Sequence, residues 1–387
     1  MRHMRQFNRR SGNIMVLTAF MLVMTFAMVA FAIDVGYISV VRSQAQRAAD
    51  ASALAAAWDL LDENIAARDY DPSEAILAAD DTAQQYGRLN QVGGEPALLA
   101  GGDVEVGYLD ESDAQMSFDD PSRFNAVSVR VRRTTDQGGA VPLFFAKVLG
   151  TDRADVEATG TAHFMTFNRN NFGGFRYSSV SGENLMILPF ALDKPTWDAL
   201  LAGSGDDDWC WDAELQEVVS GSDGILEVNL YPKKTKDAPG NRGTVDIGNT
   251  NNATPDIRRQ ILYGISEADL AHHGGELRFD ENHELLLNGD TGLSAAVQHE
   301  LKEIIGQKRA IPIFTKLEGP GNNAYYTIVD FVGVRILDVD LNGSPSKKHV
   351  TIQPAPMIAN GAIVEISQFP DPNPGETYLY SPVHLVR

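Results

Sequence analysis

The sequence predicts an α+β protein in which a single apolar helix, long enough to cross a membrane, continues into an alanine-rich helix packed on a small antiparallel sheet. A strand-rich α+β domain follows. Three observations lead there. Residues 14–33 run for twenty positions without a charge. The stretch after them lacks proline until Pro72 and places eight alanines among the thirteen residues Ala45–Ala57. Most of the remaining chain alternates apolar and polar residues in short runs, the period of half-buried strands.

The apolar stretch IMVLTAFMLVMTFAMVAFAI is interrupted only by Thr18 and Thr25. As a helix rising about 1.5 Å per residue it reaches roughly 30 Å, the thickness of a bilayer's hydrocarbon core. Arg2, Arg5, Arg9 and Arg10 precede it, whereas Asp34 follows it directly and Arg42 and Arg47 come later. By the positive-inside rule the first residues stay in the cytoplasm, the span sits singly in the cytoplasmic (inner) membrane, and residues from about 34 onward are extracytoplasmic. Two alternatives stand beside this: a cleaved signal peptide, because Ala30-Phe31-Ala32 has the small-x-small spacing of a cut site, and a buried core helix of a cytosolic protein.

Charge and length narrow the classes further. At 387 residues the chain is long for one domain, so two folded units are expected beyond the span. A single cysteine, Cys210, excludes a disulfide scaffold. The 32 Lys and Arg against 52 Asp and Glu give a net charge of -20; the four head arginines leave 28 basic groups beyond residue 33, a net of -24 there. Such a body repels a polyphosphate, which argues against nucleic acid as a partner.

Beyond the span, Asp34-Val35-Gly36, then Arg42, Gln46 and the run Ala48-Ala49-Asp50-Ala51-Ser52-Ala53-Leu54-Ala55 continue in helical pattern. Further along stand Asn125-Ala126-Val127-Ser128-Val129 and Val141-Pro142-Leu143-Phe144-Phe145-Ala146, with Leu149-Gly150 after them. Together with the basic head and Gly12, these residues resemble the TadE/TadG-like N-terminal region of tight-adherence (Flp) pilus-assembly proteins, over roughly residues 10–165. The resemblance implies a membrane-anchored, pilin-like, non-enzymatic component of the bacterial cell envelope whose partners are membrane lipid and other pilus-assembly or envelope proteins. It singles out Asp34, Gly36, Gln46, Ala48, Ala49, Asp50, Ala53 and Leu54 as assembly or packing positions. The alanine face either covers the domain's own sheet or meets a partner helix. Position 17, where processed pilins carry an acid, is leucine, and no Asp-x-Ser-x-Ser metal string is present, so neither peptidase processing nor a metal-dependent adhesin is implied.

The elements of the first unit, 34–167, follow from local signals. Asp71-Pro72-Ser73-Glu74 starts a helix over about 73–89, with Ile76, Ala79, Ala83 and Tyr86 as its stripe. Asp103–Leu109 and Phe124–Arg133 alternate as strands, Pro142 opens a short apolar helix closed by Gly150, and Val156 to Phe164 alternates again. Residues 168–179, polar and glycine-rich at their start, read as a linker.

The second unit, 180–387, reads as strands at 185–191, 224–231, 275–279, 283–287, 325–340, 349–353 and 362–367. Helices are expected at Pro195 with Trp197 and Leu200, at Thr254-Pro255 with Ile257, Ile261 and Leu262, and over Leu293, Val297, Leu301 and Ile304. Its chemistry markers are sparse, and none calls for a cofactor. His299-Glu300 lacks the second histidine of a zinc-protease helix, since Glu303 stands there. His272-His273 reads as a loop pair, and Asp206-Asp207-Asp208 beside Trp209, Cys210 and Trp211 as a loop with aromatic anchors. Asp338, Asp340 and Asn342 match the opening ligands of a calcium loop, but His349 occupies the closing position, so Asn342-Gly343 reads as a hairpin turn. The alternative to a structural role is an anchored extracytoplasmic ligand-binding protein or hydrolase with its site in 180–387, which a convergent acidic or histidine cleft there would favour.

Overall fold

The computed structural model describes residues 13–110, 115–178, 182–231, 243–248, 253–319, 321, 324–344, 346–368, 370–371 and 375–386. The basic head with Arg2, Arg5, Arg9, Arg10 and Gly12 lies outside them. The fold is α+β and divides into two compact units, each discontinuous in sequence: unit 1 is Met1–Asp59, Ile76–His163 and His384–Arg387, and unit 2 is Leu60–Ala75 and Phe164–Val383.

In unit 1, one helix α1 (Asn13–Asp59) runs unbroken through the apolar span, through Ala30-Phe31-Ala32 and on to the alanine run. It is long and apolar enough to cross a membrane, and residues 14–33 are exposed except for half-buried Ala30. A second helix, α2 (Ser73–Leu89), begins where the Asp71 carboxylate accepts the Ser73 N–H, the expected cap. Three antiparallel strands, β1 (Val104–Leu109), β2 (Ala126–Arg133) and β3 (Val156–His163), lie side by side with β2 in the middle. The C-terminal strand His384–Val386 extends the β3 edge. Val127, Val129 and Val131 are buried as their alternation requires.

Pro142 departs from expectation. It sits in a short ladder, Val141 opposite Ala154 and Pro142 opposite Arg153, so residues 143–152 form a hairpin loop rather than one helix. Only Ala146–Leu149 coil, as a single 3-10 turn closed by Gly150 at φ 87°, where the left-handed backbone suits glycine.

Unit 2 is organised by strands β4 (Phe172–Arg176), β5 (Phe190–Asp193), β6 (Val228–Asn229), β7 (Gly243–Val245), β8 (Glu276–Arg278), β9 (Leu285–Asp290), β10 (Lys308–Glu318), β11 (Ala324–Asp340), β12 (His349–Pro354) and β13 (Ala362–Val364). The long β11 pairs with β9, β9 with β7, β7 with β5, β5 with β10, and β10 returns to β11, so these strands close on themselves; β12 and β6 continue from the other end of β11. Closure removes exposed edges. It crowds Tyr326, fully buried, against Gly243 and Gly289, where an added Cβ would fall 2.7 Å from the ring's hydroxyl or edge. A further ladder, β8–β4–β13, joins an aromatic cluster in which Phe331 meets Phe175, Phe172 and Phe279 at centroid distances of 5.2, 6.3 and 6.0 Å.

Several expectations change here. The stretch read as a linker carries β4, with Phe172 and Phe175 buried and Gly174 at φ 122° because a Cβ there would stand 1.9 Å from the Leu277 carbonyl oxygen. Its glycines serve close strand approach, not slack. The run 185–191 makes isolated bridges at Leu185 and Ile187 before β5, the run 224–231 shortens to β6, and the third helix is a 3-10 turn Ala295–Val297 followed by Gln298–Glu303. Strand β10 lies where the sequence reading placed no element; Pro312 stands inside it, and the ladder shifts register just past that residue. Trp209–Asp212 and Glu217–Ser220 form a hairpin where a loop was expected. Leu60–Ala75 packs with unit 2, where the Glu63 carboxylate bonds Lys308 and Arg335 and the Arg335 guanidinium lies 4.1 Å over Trp211.

Candidate functional site

The residues singled out along α1 fall into two groups. Asp34, the first charge after the span, is buried, and its carboxylate accepts the backbone N–H groups of Phe144 (2.8 Å), Phe145 (3.0 Å) and Ala146 (2.7 Å). Burial alone would push this carboxyl up; the three donors and the nearby Lys147 ammonium outweigh it and hold Asp34 below the ordinary carboxylate range. The Tyr37 ring meets the Phe144 ring edge-on at 5.2 Å. Gly36, two residues on, lies on the exposed side with nothing within 4 Å of an added Cβ.

The second group is the seat of α1 on the sheet. Val41, Ala45, Ala48, Ala49, Ala53, Ala56 and Ala57 are fully buried as α1 crosses β3 and β2, and Leu54 is half-buried. Gly160 in β3 lets the backbones meet: a Cβ there would fall 2.7 Å from the Ala49 carbonyl carbon and 2.6 Å from the Asp50 carboxylate. The Gln46 amide donates to Asp50 Oδ1 and to the Thr159 carbonyl, both at 2.8 Å, fixing the helix along the strand. The alanine face therefore covers the unit's own sheet, the first of the two uses the sequence left open. The partner strand position Gly160 was legible only as one apolar step of an alternation.

The calcium-loop candidates serve the β11–β12 hairpin. Asp338 Oδ2 lies 2.7 Å from His349 Nε2, and Asp340 Oδ1 accepts the Asn342 N–H at 2.9 Å, with Gly343 at φ 82°. The ladder ends at Asp340 opposite His349, so the connection is longer than a two-residue turn. Among the described residues no three His, Cys, Asp or Glu side chains are grouped to hold a metal ion. Asp207 and Asp208 are likewise engaged in the chain: Asp207 accepts from Ser222 and the Asp223 and Gly224 amides, and the Asp208 N–H donates to the buried Glu227. Burial, with Asp208 and Asp207 nearby, pushes Glu227 up to about 7 against two amide donors. His299 and Glu303 pair at 3.0 Å on an exposed surface.

Sequence reasoning missed a cavity of about 750 Å³ in unit 2, lined by Arg169, Asp280, Glu281, His283, Glu365 and Asp371 with Phe172 and Phe279 at its apolar side. Its parts come from distant segments, so no local spacing announces it. His283 has φ 58°, stacks on Phe279 at 4.2 Å, and holds its Nε2 buried without a hydrogen-bond partner. Burial and the Arg169 charge push it down to about 4, so it is neutral at physiological pH. Glu365 is paired to Arg278 at 2.6 Å and Asp371 to Arg169 at 3.8 Å, so the acidic rim of the cavity is carried by Asp280 and Glu281.

Comparison with known families places these features. Residues 12–59 match the model described as putative Flp pilus-assembly TadE/G-like, and residues 55–162 match the one described as putative Tad-like Flp pilus-assembly. The two matches cover α1 with its seat and strands β1 to β3 of unit 1 up to residue 162, and leave out the C-terminal strand of that sheet. No curated protein and no solved structure matches the chain significantly.

Proposed function

We propose that this chain is a membrane-anchored, extracytoplasmic component of tight-adherence (Flp) pilus assembly or a related envelope structure, acting by tethering and protein contact rather than by catalysis. The observation that carries the reading is the continuity of α1: one rod is exposed and apolar over residues 14–33, then seated on a folded sheet from Val41 onward. The family matches over residues 12–162 support it. A tether of this kind confines the folded unit to the membrane surface and raises its effective concentration for assembly. Because the alanine face is used internally, partner contacts on α1 fall on its outward residues, among them Gly36, Val40 and Arg47.

The test is photo-crosslinking in the native membrane from Val40 and Arg47. Capture of another pilus-assembly protein is the expected result; capture of none, in a chain that is membrane-integrated, would count against assembly. Leu22→Arg places a charge at mid-span, costs about 2.5–3.5 kcal/mol on insertion scales, and should impair integration.

The unit 2 cavity favours a second reading, an anchored ligand-binding protein with a polar or cationic ligand held between the acidic rim and Phe279. A ligand-induced rise in melting temperature that disappears in His283→Ala would support it.

A further inference from the structure

We propose that the hairpin tip Phe144–Leu149 is a second membrane contact, bedding into the phospholipid headgroup layer on the side where α1 emerges and so fixing how unit 1 stands on the bilayer. This rests on the reading of residues 14–33 as a span. The tip exposes Phe144 at 59%, Phe145 at 44%, Val148 at 90% and Leu149 at 82%, four large apolar side chains in six residues. A run so apolar and so open marks an interaction surface rather than a core that failed to close.

Its position selects lipid. Ile33 ends the uncharged stretch, so Asp34 stands at the hydrocarbon edge, and the Asp34 carboxylate holds the backbone of residues 144–146 there by three hydrogen bonds. A single 3-10 turn, Ala146–Leu149, carries the chain from that clamp to Val148 and Leu149; interfacial apolar groups bed roughly 5–10 Å into the headgroup boundary. The tip is rigid enough to be presented: Leu143 is buried, its N–H bonds the Asp152 carbonyl at 2.9 Å, and the Thr151 N–H bonds the Ala146 carbonyl at 3.2 Å. Charge agrees. In a chain of net -20, residues 143–151 hold no acid and one cation, Lys147, which suits lipid phosphate, while the exposed Arg153 at the base is offset by its exposed neighbour Asp152. Tyr37, which meets the Phe144 ring edge to face at 5.2 Å, is of the aromatic type enriched at such depths.

The test uses the full chain with Cys210→Ser, carrying an environment-sensitive dye on Leu149→Cys or, separately, on Met28→Cys, reconstituted in phosphatidylethanolamine–phosphatidylglycerol vesicles bearing nitroxides at the headgroup or deep in the acyl chain. The expected result is loss of emission at 149 with headgroup and shallow nitroxides, and at 28 with deep ones. Quenching at 28 without quenching at 149 would overturn the tip contact and leave the span standing; loss of quenching at both would remove the span itself. Val148→Glu should then abolish quenching at 149 while leaving 28 unchanged, and persistence at 149 would refute apolar insertion. Were a photo-crosslinker at Leu149 to join protein in native membranes while the vesicle dye stayed unquenched, the tip would be a protein contact and the proposal would fail.

Discussion

Where α1 meets the sheet of unit 1, the buried side chains are mostly alanine and valine, and a glycine marks the closest approach; in the core of unit 2 they include Phe331, Tyr326 and Phe314 of the closed strands and Phe172 and Phe175 of β4. Both interiors exclude water, but by different means. Unit 1 brings backbones together and fills little volume with side chains, as packed helices do when small residues face each other. Unit 2 fills a wide interior with rings held edge to face, such as Phe314 against Tyr326 at 5.0 Å. The difference teaches which changes each unit tolerates: unit 2 suffers from losing volume, unit 1 from gaining it.

The largest expected effect is therefore in unit 2. Phe331→Ala removes the ring shared by Phe172, Phe175 and Phe279 and should cost about 3–5 kcal/mol in denaturant unfolding. A cost near that of a surface change would break the comparison.

Next comes pH. Glu227, raised to about 7 by burial, lends unit 2 a contribution fully present below the ordinary glutamate value and lost as pH rises through about 7. On the order of 3 kcal/mol is at stake from a shift of that size. Hydrogen-exchange protection of residues 206–229, corrected for the intrinsic rise of exchange with pH, should fall as pH rises from the ordinary glutamate value to about 7, and Glu227→Gln should flatten that fall.

Gly160→Val tests unit 1 from the other side. Its side chain meets the Ala49 backbone and should cost about 1–3 kcal/mol, seen as faster exchange in α1 beyond Val41 and in β3. The same exchange rates in variant and parent would show that the helix can retreat from the strand.

The smallest effect, confined to acid, sharpens the contrast in sign. Asp34 is held below its ordinary value, so its contribution is present above that value and lost as pH falls through the lowered one, opposite to Glu227. Asp34→Asn should loosen residues 144–149 at neutral pH as acid does in the parent, measured by proteolysis at the tip.

Particular elements show how much the sequence discloses. The helix Ser73–Leu89 and the strand alternation of Val127, Val129 and Val131 were legible because their caps and periods are local. The packing role of Ala48, Ala49 and Ala53 was legible as a small-residue face, but what it packs against was not. Strand β10, with Pro312 inside it, was not legible, and β4 hid behind glycines that serve close approach. The cavity at His283 was invisible because Arg169, Asp280 and Glu365 lie far apart along the chain.

By itself the sequence determined the apolar rod, its alanine continuation, the mixed α+β class and the acidic body, since each depends on composition or on a period of a few residues. Only the tertiary structure decided that Asp34 clamps the tip at Phe144, that Gly160 admits the helix and that unit 2's strands close on themselves. Those outcomes depend on groups more than a hundred residues apart arriving at hydrogen-bond or van der Waals distance, and no local pattern encodes which distant backbone will be there.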